Sequence, residues 1–128
     1  MKKEMPTEQE LIEANNLIEE ACEIFEKCTS CGLCKSLCPT FKVLMEEKVS
    51  PRGHAILLSD KILDKVVYEC TMCKACEQKC PINIKICDAI QKAREALILK
   101  RKGLEKNEEM IKRFKKTGNI FEKDNTDY

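Results

Sequence analysis

The chain has 128 residues and is 43% apolar, but it contains no tryptophan, two tyrosines and four phenylalanines. Its 23 basic and 22 acidic residues give a net charge of +1, which argues against a surface built to hold nucleic acid or an anionic membrane. The length suits one domain with a thin aromatic core.

The first residues give no sign of export. Met1-Lys-Lys is followed by Glu4 and Pro6 instead of an apolar stretch, and no apolar run approaches the length of a membrane span. We therefore expect a cytoplasmic protein without a membrane span, in which reduced, closely spaced cysteines bind metal instead of forming disulfides. The four glycines are too scattered for a phosphate or dinucleotide loop, so any flavin or nucleotide is expected on another chain.

Residues 1–24 are predicted to form an N-terminal helical segment. The stretch from Thr7 to Glu10 has the sequence of a capping box. Apolar residues follow at helical spacing, namely Leu11, Ala14, Ile18, Ala21 and Phe25. Cys22 lies next to this apolar stripe and is interpreted as a small buried hydrophobic side chain.

Two copies of one cysteine motif carry the strongest functional signal. Each has the spacing C-x2-C-x2-C-x3-C-P, which is typical of bacterial [4Fe–4S] proteins. The copies are Cys28-Thr-Ser-Cys31-Gly-Leu-Cys34-Lys-Ser-Leu-Cys38-Pro39 and Cys70-Thr-Met-Cys73-Lys-Ala-Cys76-Glu-Gln-Lys-Cys80-Pro81. Three closely spaced thiolates can bind three corners of a cluster, and the fourth ligand usually comes from the other copy. We therefore predict two [4Fe–4S] clusters, the first held by Cys28, Cys31, Cys34 and Cys80 and the second by Cys70, Cys73, Cys76 and Cys38.

Zinc is the alternative metal, because thiolates suit zinc and iron–sulfur clusters alike. A closed zinc site usually takes two C-x2-C pairs. Such pairs do not call for a third cysteine at a two-residue gap or for a fourth that is followed by proline, so the spacing favours clusters. With four cysteines at each cluster, no iron is left open for a substrate. The clusters are therefore predicted to carry single electrons, and no catalytic residue is assigned.

The connection between the two copies is predicted to begin as a polar loop from Thr40 to Val49. Ser50-Pro51 has the pattern of a helix N-cap followed by proline. The short helix that it opens includes Ala55, Leu57 and Leu58. A second short helix is predicted over Ile62 to Glu69, with Ile62, Val66 and Val67 facing inward. No segment alternates over strand length, which favours an all-α fold over the small two-sheet ferredoxin fold.

Two further helices are predicted after the second copy. Asn83 is predicted to cap a long helix that ends at Gly103 and buries Ile86, Ile90, Ala93 and Leu97. The last helix, from about Leu104 to Thr117, ends at Gly118 and has Leu104, Ile111 and Phe114 on one side. Its basic residues are interpreted as a solvated face, with a docking patch as the alternative. Residues 122–128 are predicted to form a flexible tail.

Several single residues lie near the predicted clusters. Lys35, Lys74 and Lys79 add positive charge beside anionic clusters and should favour the reduced forms; solvated lysines with little effect are the alternative. His54, the only histidine, is interpreted as a packing or surface residue. Cys87 is interpreted as a packing residue, with rescue of a damaged cluster or an intersubunit ligand as the alternatives.

Taken together, the two motifs and the Ser50-Pro51-Arg52-Gly53 segment between them resemble a known module. It is the N-terminal iron–sulfur module of the glycolate oxidase iron–sulfur subunit, the lactate-utilisation proteins and the heterodisulfide reductase C and D subunits. The resemblance covers about residues 25–121. It implies an alpha-helical ferredoxin-like domain with two [4Fe–4S] clusters, flanked by N-terminal and C-terminal helices and similar to cluster domains of succinate dehydrogenase and dihydropyrimidine dehydrogenase. Gly118-Asn119-Ile120-Phe121 resembles the Gly-Asn-Pro-Phe segment that leads into the CCG domains of those proteins.

This resemblance implies an electron-transfer subunit of an oxidoreductase complex in anaerobic metabolism, whose flavoprotein and/or CCG-domain partner is a separate chain. Tyr68-Glu69 precedes Cys70. The heterodisulfide reductase C subunits tend to have a tryptophan before this cysteine. That difference favours a partner of the FAD-linked glycolate or lactate-type oxidase class over a heterodisulfide reductase-like relay. Two other classes remain open: a free ferredoxin-like carrier, against which the near-neutral charge counts, and a redox-sensing interaction protein.

Overall fold

The structure is a computed structural model that describes residues 4–121. These residues form six α-helices: α1 (Glu8–Ile24), α2 (Pro39–Leu44), α3 (Pro51–Ser59), α4 (Ala75–Lys79), α5 (Ile86–Leu99) and α6 (Glu105–Thr117). Short 3₁₀ turns cover Leu33–Leu37, Glu47–Val49 and Lys65–Glu69. No strand occurs between residues 4 and 121, so the prediction of an all-α fold is confirmed. The predicted tail, residues 122–128, lies outside the described residues.

Helices α1 and α5 pack against each other and form the scaffold of the domain. The predicted capping box begins α1: the Thr7 N–H donates to Glu10 Oε2 at 2.8 Å, and the Glu10 N–H donates to Thr7 Oγ1 at 3.3 Å. Small side chains without exposed surface line the contact and allow a close approach of the two helices; they are Ala14, Ala21, Ala89, Ala93 and Ala96. Leu11, predicted to be part of the buried stripe, is 38% exposed, because the stripe covered by α5 begins one turn later.

The connection between the cysteine copies contains more helix than was predicted. The segment from Thr40 to Val49, predicted as a loop, includes most of α2 and the turn Glu47–Val49. Pro39 occupies the first position of α2, and Cys38 Sγ accepts a hydrogen bond from the Phe41 N–H at 3.5 Å. A cysteine therefore takes the N-cap position that a hydroxyl or carboxylate side chain usually fills. A search for the usual capping residues misses such a helix.

The start of α3 is as predicted. Ser50 Oγ accepts a hydrogen bond from the Gly53 N–H at 3.0 Å and donates one to the Glu47 carbonyl at 2.7 Å. The chain at Glu47 passes so close to α3 that a Cβ on Gly53 would lie 2.0 Å from the Glu47 carbonyl oxygen. Glycine is therefore needed at this position because of the close backbone approach.

The helix predicted from Ile62 to Glu69 is shorter in the structure. Only the 3₁₀ turn Lys65–Glu69 forms, and Asp64 Oδ1 caps it by accepting a hydrogen bond from the Val66 N–H at 2.8 Å. Val66 and Val67 are buried as predicted, whereas Ile62 is 49% exposed. The prediction that Ile62 faces inward was wrong, because the regular turn starts three residues later, at Lys65.

Helix α5 buries the predicted face of Ile86, Ile90, Ala93 and Leu97, but its two ends differ from the prediction. Asn83 does not cap it and has a left-handed backbone with a φ of 55°. Instead, Glu77 of α4 accepts a hydrogen bond from the Cys87 N–H at 3.0 Å. The helix ends at Leu99, before the predicted stop at Gly103.

Helix α6 ends at Gly118, which has a φ of 71° as a left-handed C-cap. This end agrees with the prediction. None of the residues of α6 is buried, and Ile111 and Phe114 are 48% and 56% exposed. The apolar side of α6 is therefore not part of the domain core. No helix between residues 4 and 121 has the length and apolar character needed to cross a membrane.

Candidate metal centres

Two cavities are lined by the eight motif cysteines. The first cavity is lined by Cys28, Cys31, Cys34 and Cys80. The second cavity is lined by Cys70, Cys73, Cys76 and Cys38. The last cysteine of each copy thus lies with the first three cysteines of the other copy, which is the grouping that the predicted ligand sets require. Metal binding by these groups remains a prediction.

The two cysteine loops have the same backbone conformation. Ser30 and Gly32 in the first loop have φ values of 56° and 78°, and Met72 and Lys74, at the same motif positions in the second loop, have φ values of 58° and 62°. A left-handed residue other than glycine costs on the order of 1 kcal/mol. The same strained turn in both copies indicates that the shape of the loop serves its site, because such turns direct backbone N–H groups toward a bound anion such as an iron–sulfur cluster.

Six of the eight motif cysteines are partly or fully buried, whereas Cys31 and Cys73 are exposed. The burial affects the protonation of several thiols. Burial raises the pKa of the Cys34 and Cys70 thiols, and it raises the pKa of Cys76 to about 12, with a further contribution from neighbouring Cys87. Without a cation these thiols are neutral at physiological pH. A metal that displaces their protons would therefore compensate for the burial of thiolate charge.

Each set of thiols surrounds a space instead of converging on one point. Within residues 4–121, no three His, Cys, Asp or Glu side chains are grouped so that they could hold a single metal ion. Both cavities are partly open to solvent. Four thiols around such a space fit a cuboidal cluster with one thiolate per iron, whereas a tetrahedral zinc site brings its ligands to a single centre.

A common apolar wall separates the two cavities. Pro51 and Ile86 line both of them. The buried core extends to this wall through Ala55, Ile86 and Ile90, and Cys28, Cys34, Cys70 and Cys80 pack against it. The two cavities are therefore close neighbours with little polar material between them.

Arg94 supports the second cysteine loop, although nothing in the sequence singled it out. Its Nε and Nη2 donate to the Val67 carbonyl at 3.1 and 2.9 Å, and Nη2 also donates to the Cys70 carbonyl at 2.5 Å. The guanidinium lies over the Tyr68 ring at 5.5 Å. Arg94 thus holds the turn that leads into Cys70 and places a positive charge near the second cavity. In the sequence it looks like one more charged residue of an amphipathic helix.

The charge of Lys35 is paired with an acidic residue. Glu47 accepts hydrogen bonds from Lys35 Nζ at 2.5 Å and from Arg52 Nε at 2.7 Å. The hydrogen bond from Lys35 is the main reason why the pKa of Glu47 is lowered. We therefore expect Lys35 to influence a cluster less than the sequence suggested. Lys74 lines the second cavity, whereas Lys79 lines neither cavity.

The remaining candidates occupy different environments. His54 is 1% exposed and lines the second cavity. Cys87 is also 1% exposed, in agreement with the packing interpretation, but it lines the second cavity as well. Cys22 is only partly buried, so the interpretation as a buried residue was wrong; its Sγ donates to the Ser59 carbonyl at 3.4 Å. Cys22 lines neither of the two cavities.

The chain is similar to known iron–sulfur proteins. Residues 24–84 match the protein family described as "4Fe-4S dicluster domain". The chain is 30% identical over 105 residues to the probable glycolate oxidase iron–sulfur subunit of Bacillus subtilis, covering 73% of this chain and 24% of the relative. It is 31% identical over 74 residues to the glycolate oxidase iron–sulfur subunit of Escherichia coli, covering 52% of this chain and 18% of the relative.

A second group of relatives comes from methanogens. The chain is 30% identical over 88 residues to an iron–sulfur subunit of the CoB–CoM heterodisulfide reductase of Methanocaldococcus jannaschii, covering 66% of this chain and 47% of that relative. The chain therefore spans less than half the length of these relatives. Both groups bear names of iron–sulfur subunits of redox enzymes.

Proposed function

We propose that the chain relays single electrons through two [4Fe–4S] clusters, on the basis that residues 24–84 match the 4Fe-4S dicluster domain family. The observation that carries the proposal is the exchange of the fourth cysteine. Cys80 lies in the cavity of the first three motif cysteines, and Cys38 lies in the cavity of the second three. This arrangement supports two cluster sites that are built from both halves of the chain.

The proposed ligands of the first cluster are Cys28, Cys31, Cys34 and Cys80, and those of the second are Cys70, Cys73, Cys76 and Cys38. A [4Fe–4S] cluster that is bound in this way takes up and gives back one electron at a time. The chain binds the clusters with thiolates and limits the access of water with its apolar core. Pro51 and Ile86, which line both cavities, keep the two sites adjacent, so an electron passes between them over a short distance. No residue of the chain is assigned a catalytic role.

The proposed context is a larger oxidoreductase in the cytoplasm, where thiols stay reduced. The relatives from Bacillus subtilis and Escherichia coli are named as glycolate oxidase iron–sulfur subunits. The chain corresponds to about a quarter of the first of these, so the substrate chemistry is proposed to lie outside the described domain. A flavoprotein of the glycolate or lactate-type oxidase class and/or a CCG-domain redox subunit is the proposed partner.

A relay like that of the heterodisulfide reductase iron–sulfur subunits is the second candidate. The specific observation in its favour is coverage: the chain spans 47% of the heterodisulfide reductase relative from Methanocaldococcus jannaschii but only 24% of the Bacillus subtilis relative. Tyr68, at the position before Glu69 and Cys70, is the feature that favours the oxidase branch. The identity of the partner decides between the two candidates.

Metal analysis of protein purified without oxygen tests the cofactor. We expect a brown protein with about eight irons per chain, as two four-iron clusters require. A colourless, folded protein with stoichiometric zinc and almost no iron would refute the proposal.

Two matched pairs of variants test the exchange of ligands. Cys80→Ser is expected to alter the same cluster as Cys31→Ser, and Cys38→Ser the same cluster as Cys73→Ser, when the reduced proteins are compared by electron paramagnetic resonance. If Cys38→Ser and Cys31→Ser instead altered the same cluster, the ligand assignment would be wrong.

Anaerobic purification of the natively expressed, tagged chain tests the complex. If the oxidase proposal is correct, a flavoprotein with FAD should co-purify in stoichiometric amount. Addition of its 2-hydroxy acid should reduce the FAD, and the FAD should then reduce the clusters of the complex. Co-purification with other heterodisulfide reductase subunits would favour the second candidate. A monomeric chain that exchanges electrons with unrelated flavoproteins equally well would contradict both and favour a free carrier.

A further inference from the structure

Each of the two cavities is lined by one basic side chain, but the two side chains come from different parts of the fold. Among residues 4–121, Arg52 of α3 is the only Lys, Arg, Asp or Glu that lines the first cavity, and Lys74 is the only one that lines the second. Lys74 belongs to the second cysteine loop itself, whereas Gly32 stands at the same motif position in the first loop. A separate helix therefore supplies the positive charge at the first site.

Gly32 leaves room for the Arg52 side chain beside the first cysteine loop. A Cβ on Gly32 would lie 3.2 Å from Arg52 Nη1 and 3.6 Å from Arg52 Cδ. Any other residue at this position would therefore crowd the guanidinium. Gly32 lies between Cys31 and Cys34, so the guanidinium of Arg52 lies against the loop that carries three of the four proposed ligands of the first cluster.

Glu47 holds the guanidinium in this position. Arg52 Nε donates a hydrogen bond to Glu47 Oε1 at 2.7 Å, and Lys35 Nζ donates one to Glu47 Oε2 at 2.5 Å. The backbone of Glu47 is fixed as well, because its carbonyl oxygen accepts a hydrogen bond from Ser50 Oγ at 2.7 Å. Two cations share one carboxylate, so the group of three side chains keeps a net positive charge.

The terminal nitrogens of Arg52 have no partner in the part of the chain that the structure describes. The pair with Glu47 uses Nε, and neither Nη1 nor Nη2 makes a hydrogen bond to residues 4–121. A guanidinium carries its charge at every physiological pH, and its N–H groups only donate. A cluster held by thiolates is anionic and has sulfur atoms that accept hydrogen bonds, and such bonds set its potential. The donors that line the first cavity therefore match the group proposed to lie there.

We propose that Arg52, held by Glu47, donates a hydrogen bond from its terminal nitrogens to a sulfur atom of the first cluster. This inference rests on the proposed function. The bond stabilises the reduced cluster more than the oxidised one, because the added electron increases the negative charge on sulfur. The first cluster is thereby a better electron acceptor than the same site would be without the arginine. Lys74 at the second site is exposed, so solvent screens its charge more strongly.

Isotope labelling tests the contact directly. Protein that carries ¹⁵N in the guanidinium groups of its arginines is expected to show weak ¹⁵N coupling in pulsed electron paramagnetic resonance of the reduced clusters. A component of this coupling should be lost in Arg52→Lys, which has no guanidinium at this position. The same component should persist in Arg101→Lys, the control, because Arg101 lines neither cavity. Comparison of the two variants assigns the lost component to Arg52 alone.

A redox titration of variants tests the consequence. In Arg52→Gln, which removes the charge, reduction of the first cluster should become about tenfold less favourable, a fall of about 59 mV in its one-electron midpoint potential. Arg52→Lys keeps a positive charge and should show a smaller fall. Arg101→Gln is the matched control, because it also breaks a pair with a glutamate, Glu10, and it should leave both midpoints unchanged. The second cluster is the internal control in each Arg52 variant and should keep its midpoint.

The outcomes separate this inference from the proposed function. A protein without a first iron–sulfur cluster overturns both. Two intact clusters whose ¹⁵N coupling is the same in the wild type and in Arg52→Lys overturn only the arginine contact. An unchanged midpoint of the first cluster in Arg52→Gln does the same. If Arg52→Gln does not retain its clusters, the coupling and the midpoint of Arg52→Lys decide the question.

Discussion

Arg94 Nη2 donates a hydrogen bond of 2.5 Å to the carbonyl oxygen of Cys70. The same guanidinium binds the Val67 carbonyl, so a side chain of α5 fixes the backbone on which the second cysteine loop begins. The planar guanidinium, with five N–H donors in fixed directions, is well suited to bridge two carbonyls. A lysine offers a point charge without that geometry.

Arg94→Gln is therefore expected to destabilise the domain. Hydrogen bonds to charged groups contribute about 1.5–3 kcal/mol, which corresponds to a fall of roughly 10 °C in Tm for a domain of this size. Arg94→Lys should lose nearly as much stability as Arg94→Gln. Thermal unfolding of the cluster-loaded protein under anaerobic conditions measures the effect. The control is Lys92→Gln, on the same helix as Arg94, which breaks the exposed pair with Glu20 of α1 and should change stability by less than about 1 kcal/mol. Equal losses in Arg94→Gln and Lys92→Gln would contradict the role of Arg94.

Gly53→Ala is expected to cost about 3 kcal/mol or more, because the new Cβ overlaps backbone that cannot move away. The clash would be with the Glu47 carbonyl oxygen at 2.0 Å. Since α3 also supplies Pro51 and His54 to the cavities, the variant should retain less iron per chain after purification. Gly103→Ala is the matched control, because its nearest neighbours lie at 3.6 Å, and it should lose less than about 1 kcal/mol. Similar iron contents and unfolding midpoints in Gly53→Ala and Gly103→Ala would contradict the predicted clash at Gly53.

Lys74→Glu is expected to lower the midpoint potential of the second cluster, because Lys74 lines that cavity and a negative charge there disfavours reduction. Interactions of exposed charges are worth about 0.2–1 kcal/mol, so we expect a shift of roughly 10–40 mV for one electron in a redox titration. Lys102→Glu, beyond the far end of α5, should have no such effect. An unchanged or raised midpoint in Lys74→Glu would refute this role of Lys74, and an unchanged one would indicate that solvent screens the charge.

Removal of both clusters is expected to abolish most of the helical signal in far-ultraviolet circular dichroism. Cys28, Cys34, Cys70 and Cys80 pack against the core, and in small metal-nucleated domains the binding free energy is part of the folding free energy. Anaerobic reconstitution with iron and sulfide should restore the signal. A metal-free protein that keeps its helices and melts cooperatively would contradict this expectation.

The parts of the fold that depend on spacing along the chain could be predicted from the sequence. The capping box at Thr7, the proline start of α3 at Pro51 and the buried face around Ile90 follow from residues that are close in sequence, and all three are present. The pairing of Cys80 with the first loop could be expected because three thiolates at two-residue gaps leave one corner of a cluster without a ligand.

The parts that depend on contacts between distant segments could not be predicted. The cap that Glu77 provides for α5 and the contact of Arg94 with Cys70 join residues of different elements, and each looks like an ordinary surface charge in the sequence. Helix α2 was missed because a cysteine, Cys38, takes its N-cap position. Leu11 and Ile62 are exposed because periodicity identifies an apolar side chain without saying whether another element covers it.

The position of Cys80 in the first cavity has a consequence for biosynthesis. While the ribosome is still making the chain, the opening cysteine loop has only three of its four thiols, and the fourth emerges after the whole α3 region has been made. With the ligands proposed here, the second set is complete once Cys76 has been made, whereas the first set waits for Cys80. A nascent chain that stalls between the two cysteine loops would contain neither complete set, so maturation enzymes must deliver iron and sulfide after both loops have been made.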